Sequence, residues 1–186
     1  WEHYFGKESV TAAVTKIIRL HPASACMKAK VGGHYFNSVM ANSEAKAAGA
    51  DEALLLDWRG MIAEGAGQNV FLVSLACENH DEKTLITPHT FGVLPGITRD
   101  SIMTLARQEL GLRVREADLK KFHLFLSETK EVFFCGTAVE VCPVVKIDGN
   151  PIGNGEPGVV TLQLKEIYRK IIRGEIGRYL SWLEYV

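Results

Sequence analysis

No run in this chain approaches the roughly 20 apolar residues a membrane-spanning helix needs, and no charged start leads into an apolar segment with a small-residue cleavage site. A spanning or secreted protein is therefore set aside and a soluble, cytoplasmic one expected. An excess of charge of one sign is missing too. The 21 Lys and Arg stand against 22 Asp and Glu for a net −1, and their dispersal leaves no basic field for a nucleic-acid partner. The four cysteines, Cys26, Cys77, Cys135 and Cys142, form no CxxC pair, and each lies in or beside an apolar run, the usual setting of a reduced thiol. Six histidines show no metal-ligand spacing, so no metal site is expected. An initiating methionine is absent: the chain opens Trp1-Glu2-His3-Tyr4-Phe5-Gly6, aromatic-rich as an interior segment would be, which reads as a piece of a longer polypeptide.

What is present suffices for a core. The 186 residues are 47% hydrophobic and 9% aromatic, within the range of one globular domain. Val10, Ala13, Val14, Ile17 and Ile18 recur at helical spacing and predict a first amphipathic helix. Residues 24–29 read as extended, 36–48 as a helix stopped by Gly49. Residues 52–57 and 61–64 flank the turn Trp58-Arg59-Gly60 as a hairpin, and 69–75 pair with 84–87 around the charged loop 77–83. A helix follows Gly96 and ends at Gly111, β-rich runs cover 131–135 and 139–147, and Val160, Leu164, Ile167, Tyr168, Ile171 and Ile172 trace one face of a closing helix. The expected class is mixed α/β (α+β), without repeats or an internal domain boundary.

Four segments carry chemistry: Lys28-Ala29-Lys30-Val31-Gly32-Gly33-His34-Tyr35, Glu64-Gly65-Ala66-Gly67-Gln68-Asn69, Leu94-Pro95-Gly96-Ile97-Thr98-Arg99 and Gly136-Thr137-Ala138. A lysine amine attacks an aldehyde only when neutral, which requires burial or a neighbouring cation. On an extended segment Lys28 and Lys30 would share a face, with Gly32 and Gly33 admitting a planar ligand close to the backbone. The glycines after Glu64 do not make a dinucleotide loop, because Val70-Phe71-Leu72-Val73 follows where a helix should start. A carboxylate beside that turn suits the ring nitrogen of pyridoxal phosphate instead. Gly96-Ile97-Thr98 opens a helix whose free N–H groups and hydroxyl suit a phosphate, and Gly136-Thr137 offers a second such set. Read blandly, Lys30 is a solvated charge, Glu64 a hairpin end, Thr98 a helix cap and Tyr35 a packing residue. Their order along the chain favours a lysine-bound pyridoxal phosphate with a pyridinium partner and a split phosphate cradle.

With these residues laid out, the whole chain resembles the fold-type IV pyridoxal-phosphate enzymes and, within them, the branched-chain amino acid aminotransferases. Further segments that carry the likeness are Asp51-Glu52-Ala53-Leu54-Leu55-Leu56-Asp57 and Gly158-Val159-Val160-Thr161. The resemblance implies the large, C-terminal domain of the D-amino acid aminotransferase-like fold, a β pseudo-barrel surrounded by helices, and a homodimer. It implies that Lys30 is the Schiff-base lysine and proton shuttle, that Tyr35 meets the cofactor O3′, and that Glu64 in its Gly67-bearing turn pairs with the ring nitrogen. Leu94 packs on the ring, Gly96, Ile97 and Thr98 with Gly136 and Thr137 hold phosphate, Thr137 and Ala138 receive the substrate carboxylate, and Trp1 lines the substrate pocket. The implied reaction is transamination between branched-chain L-amino acids and 2-oxoglutarate, with D-amino acid aminotransferase and aminodeoxychorismate lyase as alternatives in the same fold. A non-catalytic fragment is the alternative outside it. The chain departs from the family at Gln68, where Glu is usual, at His34, where Asn is usual, and in a long loop 77–83. It lacks the small N-terminal domain, which carries a phosphate arginine and much of the side-chain pocket.

Overall fold

The run Val10-Thr11-Ala12-Ala13-Val14 forms a strand, β1 (Val10–Val14), and the helix predicted there does not exist. Short apolar runs fit either period, and here non-local pairing decides. β1 lies parallel to β2 (Glu52–Leu56) on one side and to the later strand β8 (Glu140–Ile147) on the other. Val10 and Ala12 enter one core and Ala13 another, so both faces are covered. The computed structural model describes residues 5–75 and 83–184, which places Trp1 and Cys77 outside the described residues.

Among the described residues, nine strands make one mixed sheet. β3 (Ile62–Gly65) returns antiparallel to β2; β4 (Asn69–Leu75) and β5 (Lys83–Thr87) form the expected hairpin; β6 (Arg113–Glu116) adds parallel to β5. β7 (Thr129–Gly136) joins β4 to β8, and the two-residue β9 (Asn150–Pro151) edges β8. The spatial order is β3-β2-β1-β8-β7-β4-β5-β6. Although β3 ends this order, the Gly65 N–H donates to the Gln68 carbonyl at 2.8 Å. That tight turn holds β3 against β4, and the sheet curls into a half-barrel, in keeping with the pseudo-barrel the resemblance implies.

Alternation along the central strands assigns the cores. Val70, Leu72, Val132, Phe134 and Val144 point into the curl with Leu54 and Ile62. Phe71, Val73, Phe133, Cys135 and Val141 point the other way, under α2 (Ile97–Gln108) and α3 (Val159–Ile172). A smaller alanine-rich core lies beneath α1 (Tyr35–Ala47), whose chain leaves through Gly49 at φ +80°. The β8–β9 turn uses Asp148 and Gly149 at φ +50° and +77°, and Asp148 is useful beyond its conformation, accepting the Val14 N–H at 2.8 Å to tie turn to β1.

Residues 24–29, expected to be extended, form successive turns: Ser24 N–H donates to His21 O and Ala29 N–H to Cys26 O. Small residues with no alternation and no strand beside them satisfy their backbone locally. Strand β6 was not foreseen, because Arg113-Val114-Arg115-Glu116 carries almost no apolar signal and pairs only at the sheet edge.

One remote carboxylate fastens α3 to the sheet. Glu131, buried on β7, accepts the N–H groups of Val160 and Thr161 at 3.0 and 2.7 Å and the Thr161 hydroxyl at 2.7 Å. A Cβ on Gly158 would collide with that carboxylate. Glu131→Ala is expected to destabilise the protein by about 3 kcal/mol, since three charge-assisted bonds are lost and buried helix N–H groups are stranded. The check is a lowered urea midpoint at unchanged m.

Candidate active site

Where the curled sheet opens, five segments meet around a cleft of about 260 Å³. It is lined by Arg19, by Lys30 and Tyr35 with their neighbours, by the turn from Glu64 to Asn69, by the stretch from Leu94 to Thr98, and by Cys135 to Thr137. Thus Lys30, Tyr35, Glu64, Gly67, Leu94, Gly96, Ile97, Thr98, Gly136 and Thr137, spread over more than half the chain, share one cavity. Ala138 lies just beyond its rim, exposed. Gly32 and Gly33 do not line it; they form a 3-10 turn leading into α1. Lys28 and Lys30 share no strand face, because no strand forms there, and of the two only Lys30 borders the cleft.

Glu64 is the hub. Its position on β3 buries it at 4% exposure. One carboxylate oxygen accepts from Arg19 Nε at 2.5 Å, the other from Asn69 Nδ2 and from the Leu94 N–H, both at 3.2 Å. Burial pushes the carboxyl up to about 7, while the Arg19 charge, the Arg19 hydrogen bond and the Leu94 N–H pull it down. These partners are all donors and favour the ionised form, which burial confines to pH above about 7.

Asn69 ties the hub to the next segment by donating also to the Leu94 carbonyl at 2.9 Å. Its side chain crosses so close to Gly96 that a Cβ there would lie 2.2 Å from Asn69 Oδ1, which gives glycine at 96 a steric reason. From Gly96 the chain enters α2 with no side-chain cap, so Thr98 is not a cap, and the first turn, which lines the cleft through Gly96, Ile97 and Thr98, keeps N–H groups without a capping side chain. Thr98 itself is buried and hydrogen-bonded to Tyr168 of α3. On the far side, the turn after Gly136 packs onto the Gly67 carbonyl, 3.6 Å from where a Gly136 Cβ would stand.

Sequence reasoning missed Arg19. It belongs to no motif, sits 45 residues from its partner, and fell just beyond the supposed first helix. Its side chain is 11% exposed, its backbone N–H donates to Leu56 O at 2.8 Å, and its Nη1 is buried without a partner. Asn69 was visible as the end of the glycine turn, but its bridging role was not. By contrast Lys30, Tyr35, Ile97 and Thr137 keep solvent contact at the mouth of the cleft, so Lys30 does not have the burial expected of a reactive lysine. Arg19 is a cation lining the same cleft.

The donor set fits pyridoxal phosphate. A buried carboxylate flanked by donors lines one part of the cleft, an uncapped helix start and two threonines line another, an orphaned guanidinium nitrogen awaits an acceptor, and a lysine stands at the mouth.

Comparison with known proteins agrees. The family described as amino-transferase class IV matches residues 1–147. A probable branched-chain-amino-acid aminotransferase of Aquifex aeolicus is 43% identical over 154 residues, covering 83% of this chain and 47% of that protein. The branched-chain-amino-acid aminotransferase of Escherichia coli K12 is 37% identical over 190 residues, covering all of this chain and 59% of its own length. Among solved structures, a T.th. branched-chain amino acid aminotransferase complexed with N-(5′-phosphopyridoxyl)-L-glutamate superimposes with a TM-score of 0.87 at 41% identity, over 95% of this chain and 56% of that one. The enzyme of Thermoproteus uzoniensis with norvaline gives a TM-score of 0.87 at 37% identity, over 98% and 57%. The chain therefore spans about half to three-fifths of the length of the relatives it matches.

Proposed function

Since the chain belongs to the class IV aminotransferase family, we propose that it is the cofactor-carrying large domain of a branched-chain amino acid aminotransferase. The reaction exchanges an amino group between Leu, Ile or Val and 2-oxoglutarate. The observation that carries this reading is the meeting of Lys30, the Arg19–Glu64 pair and the uncapped start of α2 in one cleft. The names of the relatives support the branched-chain substrates, and the phosphopyridoxyl ligand of a structural neighbour supports the cofactor.

When bound, pyridoxal phosphate supplies an aldehyde and a ring that accepts electrons from the substrate Cα. The protein's own residues divide the remaining work. Lys30 would attach the cofactor through its amine and, with that amine free, would carry the proton from the substrate Cα. Glu64, kept ionised by Arg19, holds the ring nitrogen protonated. The N–H groups of Ile97 and Thr98, the hydroxyls of Thr98 and Thr137 and the backbone at Gly96 and Gly136 hold the phosphate. Tyr35 receives O3′, Leu94 packs on the ring, Gly67 lets the backbone approach it, and the N–H groups of Thr137 and Ala138 take the substrate carboxylate. Trp1, outside the described residues, is assigned to the substrate pocket as part of the same proposal.

A homodimer belongs to the same proposal. Phe36 and Val39 of α1 are 71% and 61% exposed beside the cleft, an apolar face suited to burial against further protein. No helix among the described residues is long and apolar enough to cross a membrane, and a cytoplasmic location is proposed with the rest.

Incubation with pyridoxal phosphate, borohydride reduction and peptide mapping test the site. A single adduct on Lys30 is expected; adducts scattered over surface lysines in the full-length protein would overturn the assignment.

A further inference from the structure

The two segments that carry the lysine and the phosphate turn are irregular where they border the cleft: residues 19–31 on one side, 88–96 on the other. Neither forms a strand or helix of its own; besides the Glu64 carboxylate, which accepts from Arg19 and from the Leu94 N–H, the two are joined by a second contact. Trp58, at the tip of the β2–β3 hairpin, touches both. The ring of His21, two residues after Arg19, meets the indole edge-on with centroids 4.7 Å apart and planes at 62°. Phe91, three residues before Leu94, meets it at 5.7 Å and 51°. Gly92 makes room, since a Cβ there would lie 3.2 Å from the Trp58 ring.

The hairpin tip that presents the indole is itself rigid. Buried Asp57 accepts the Arg59 and Met61 N–H groups at 2.8 and 2.9 Å and Arg59 Nε at 2.9 Å. The Arg59 guanidinium then binds Asp118 through two bonds of 3.0 Å and lies over the indole at 5.3 Å. Gly60, at φ +75°, closes the turn. An aromatic wedge on a fixed support therefore stands between two segments whose separation decides whether Lys30 and the phosphate turn can grip one ligand at once.

We infer that Trp58 is a positioning residue: wedged between His21 and Phe91, it sets the spacing between the Lys30 segment and the phosphate-binding turn. It does not itself line the cleft; it acts through the loops that do. The inference rests on the pyridoxal-phosphate reading above. Small displacements of a gripping group weaken binding disproportionately, and ring-edge contacts are lost with an aliphatic replacement.

The test uses the full-length protein. Trp58→Leu, which keeps bulk at the tip but removes the ring edges, is expected to raise the Kd for pyridoxal phosphate about tenfold, read by absorbance titration. The fraction of Lys30 trapped by borohydride at limiting cofactor should fall in parallel. Trp58→Phe should restore the affinity to within about twofold, and the apo-protein melting midpoint should stay within about 3 °C of wild type in both. Trp182→Ala, which removes a ring packed on Tyr179 away from the cleft, serves as a control and should leave the Kd unchanged. Wild-type affinity in Trp58→Leu overturns the inference, as does an equal loss in Trp182→Ala or a Kd that rises only as the apo midpoint collapses. Wild-type protein that takes up no pyridoxal phosphate overturns the function reading and this inference with it.

Discussion

Replacing Lys30 by alanine in the full-length protein is expected to reduce transamination by on the order of 10⁴-fold or more, because in the proposed assignment one side chain both attaches the cofactor and carries the proton. The measurement is the rate of amino transfer from leucine to 2-oxoglutarate, with a small primary amine added in a second series. Partial recovery with the amine would show that the proton carrier is what the variant lacks. Lys28→Ala should run near wild-type rate, since Lys28 does not border the cleft. Wild-type turnover in Lys30→Ala would sink the assignment.

The second large effect is on stability and comes from the buried pair. Arg19→Ala strands the Glu64 carboxylate, and breaking such a pair by removing one partner costs about 3 to 5 kcal/mol. That deficit should depend on pH in a definite direction. Burial already raises Glu64 above its ordinary 4.5 to about 7, with Arg19 among the influences opposing the rise, so loss of Arg19 raises it further. Between the unfolded and folded values the native state holds more protons than the unfolded chain. The associated stability is fully present below about 4.5 and lost as pH rises through the folded value. The variant, with the higher folded value, loses more. The deficit is therefore expected to be small near pH 5 and largest near pH 8, which urea unfolding at the two pH values measures. A deficit independent of pH would mean that Arg19 stabilises by packing alone.

Much of the fold was legible because its signals are local. The helices beginning at Tyr35, Ile97 and Val159 show apolar residues at helical spacing, and glycines in the left-handed conformation follow at 49, 111 and 174. The β4–β5 pairing could be read from two β-rich runs on either side of a charged loop, and the turn that closes β8 from Asp148-Gly149. Strand β1 could not, because five apolar and small residues satisfy both periods and only parallel neighbours near residues 52 and 146 choose between them. The turns at 24–29 failed for a related reason: without a neighbouring strand, extended backbone has nowhere to send its hydrogen bonds.

By itself the sequence determined which chemical groups this protein possesses and in what order: a lysine before glycines, an acid in a glycine turn, and two glycine-threonine turns. Those are properties of short segments, where one or two residue types dictate the backbone. Only the tertiary structure decided that the segments share a cleft, that Arg19 sits against Glu64, that Asn69 occupies the space a side chain at Gly96 would need, and that Trp58 stands between the two loops. Each is a contact between residues tens of positions apart, created by the curl of the sheet, and no local pattern encodes a distance that the packing of the whole domain sets.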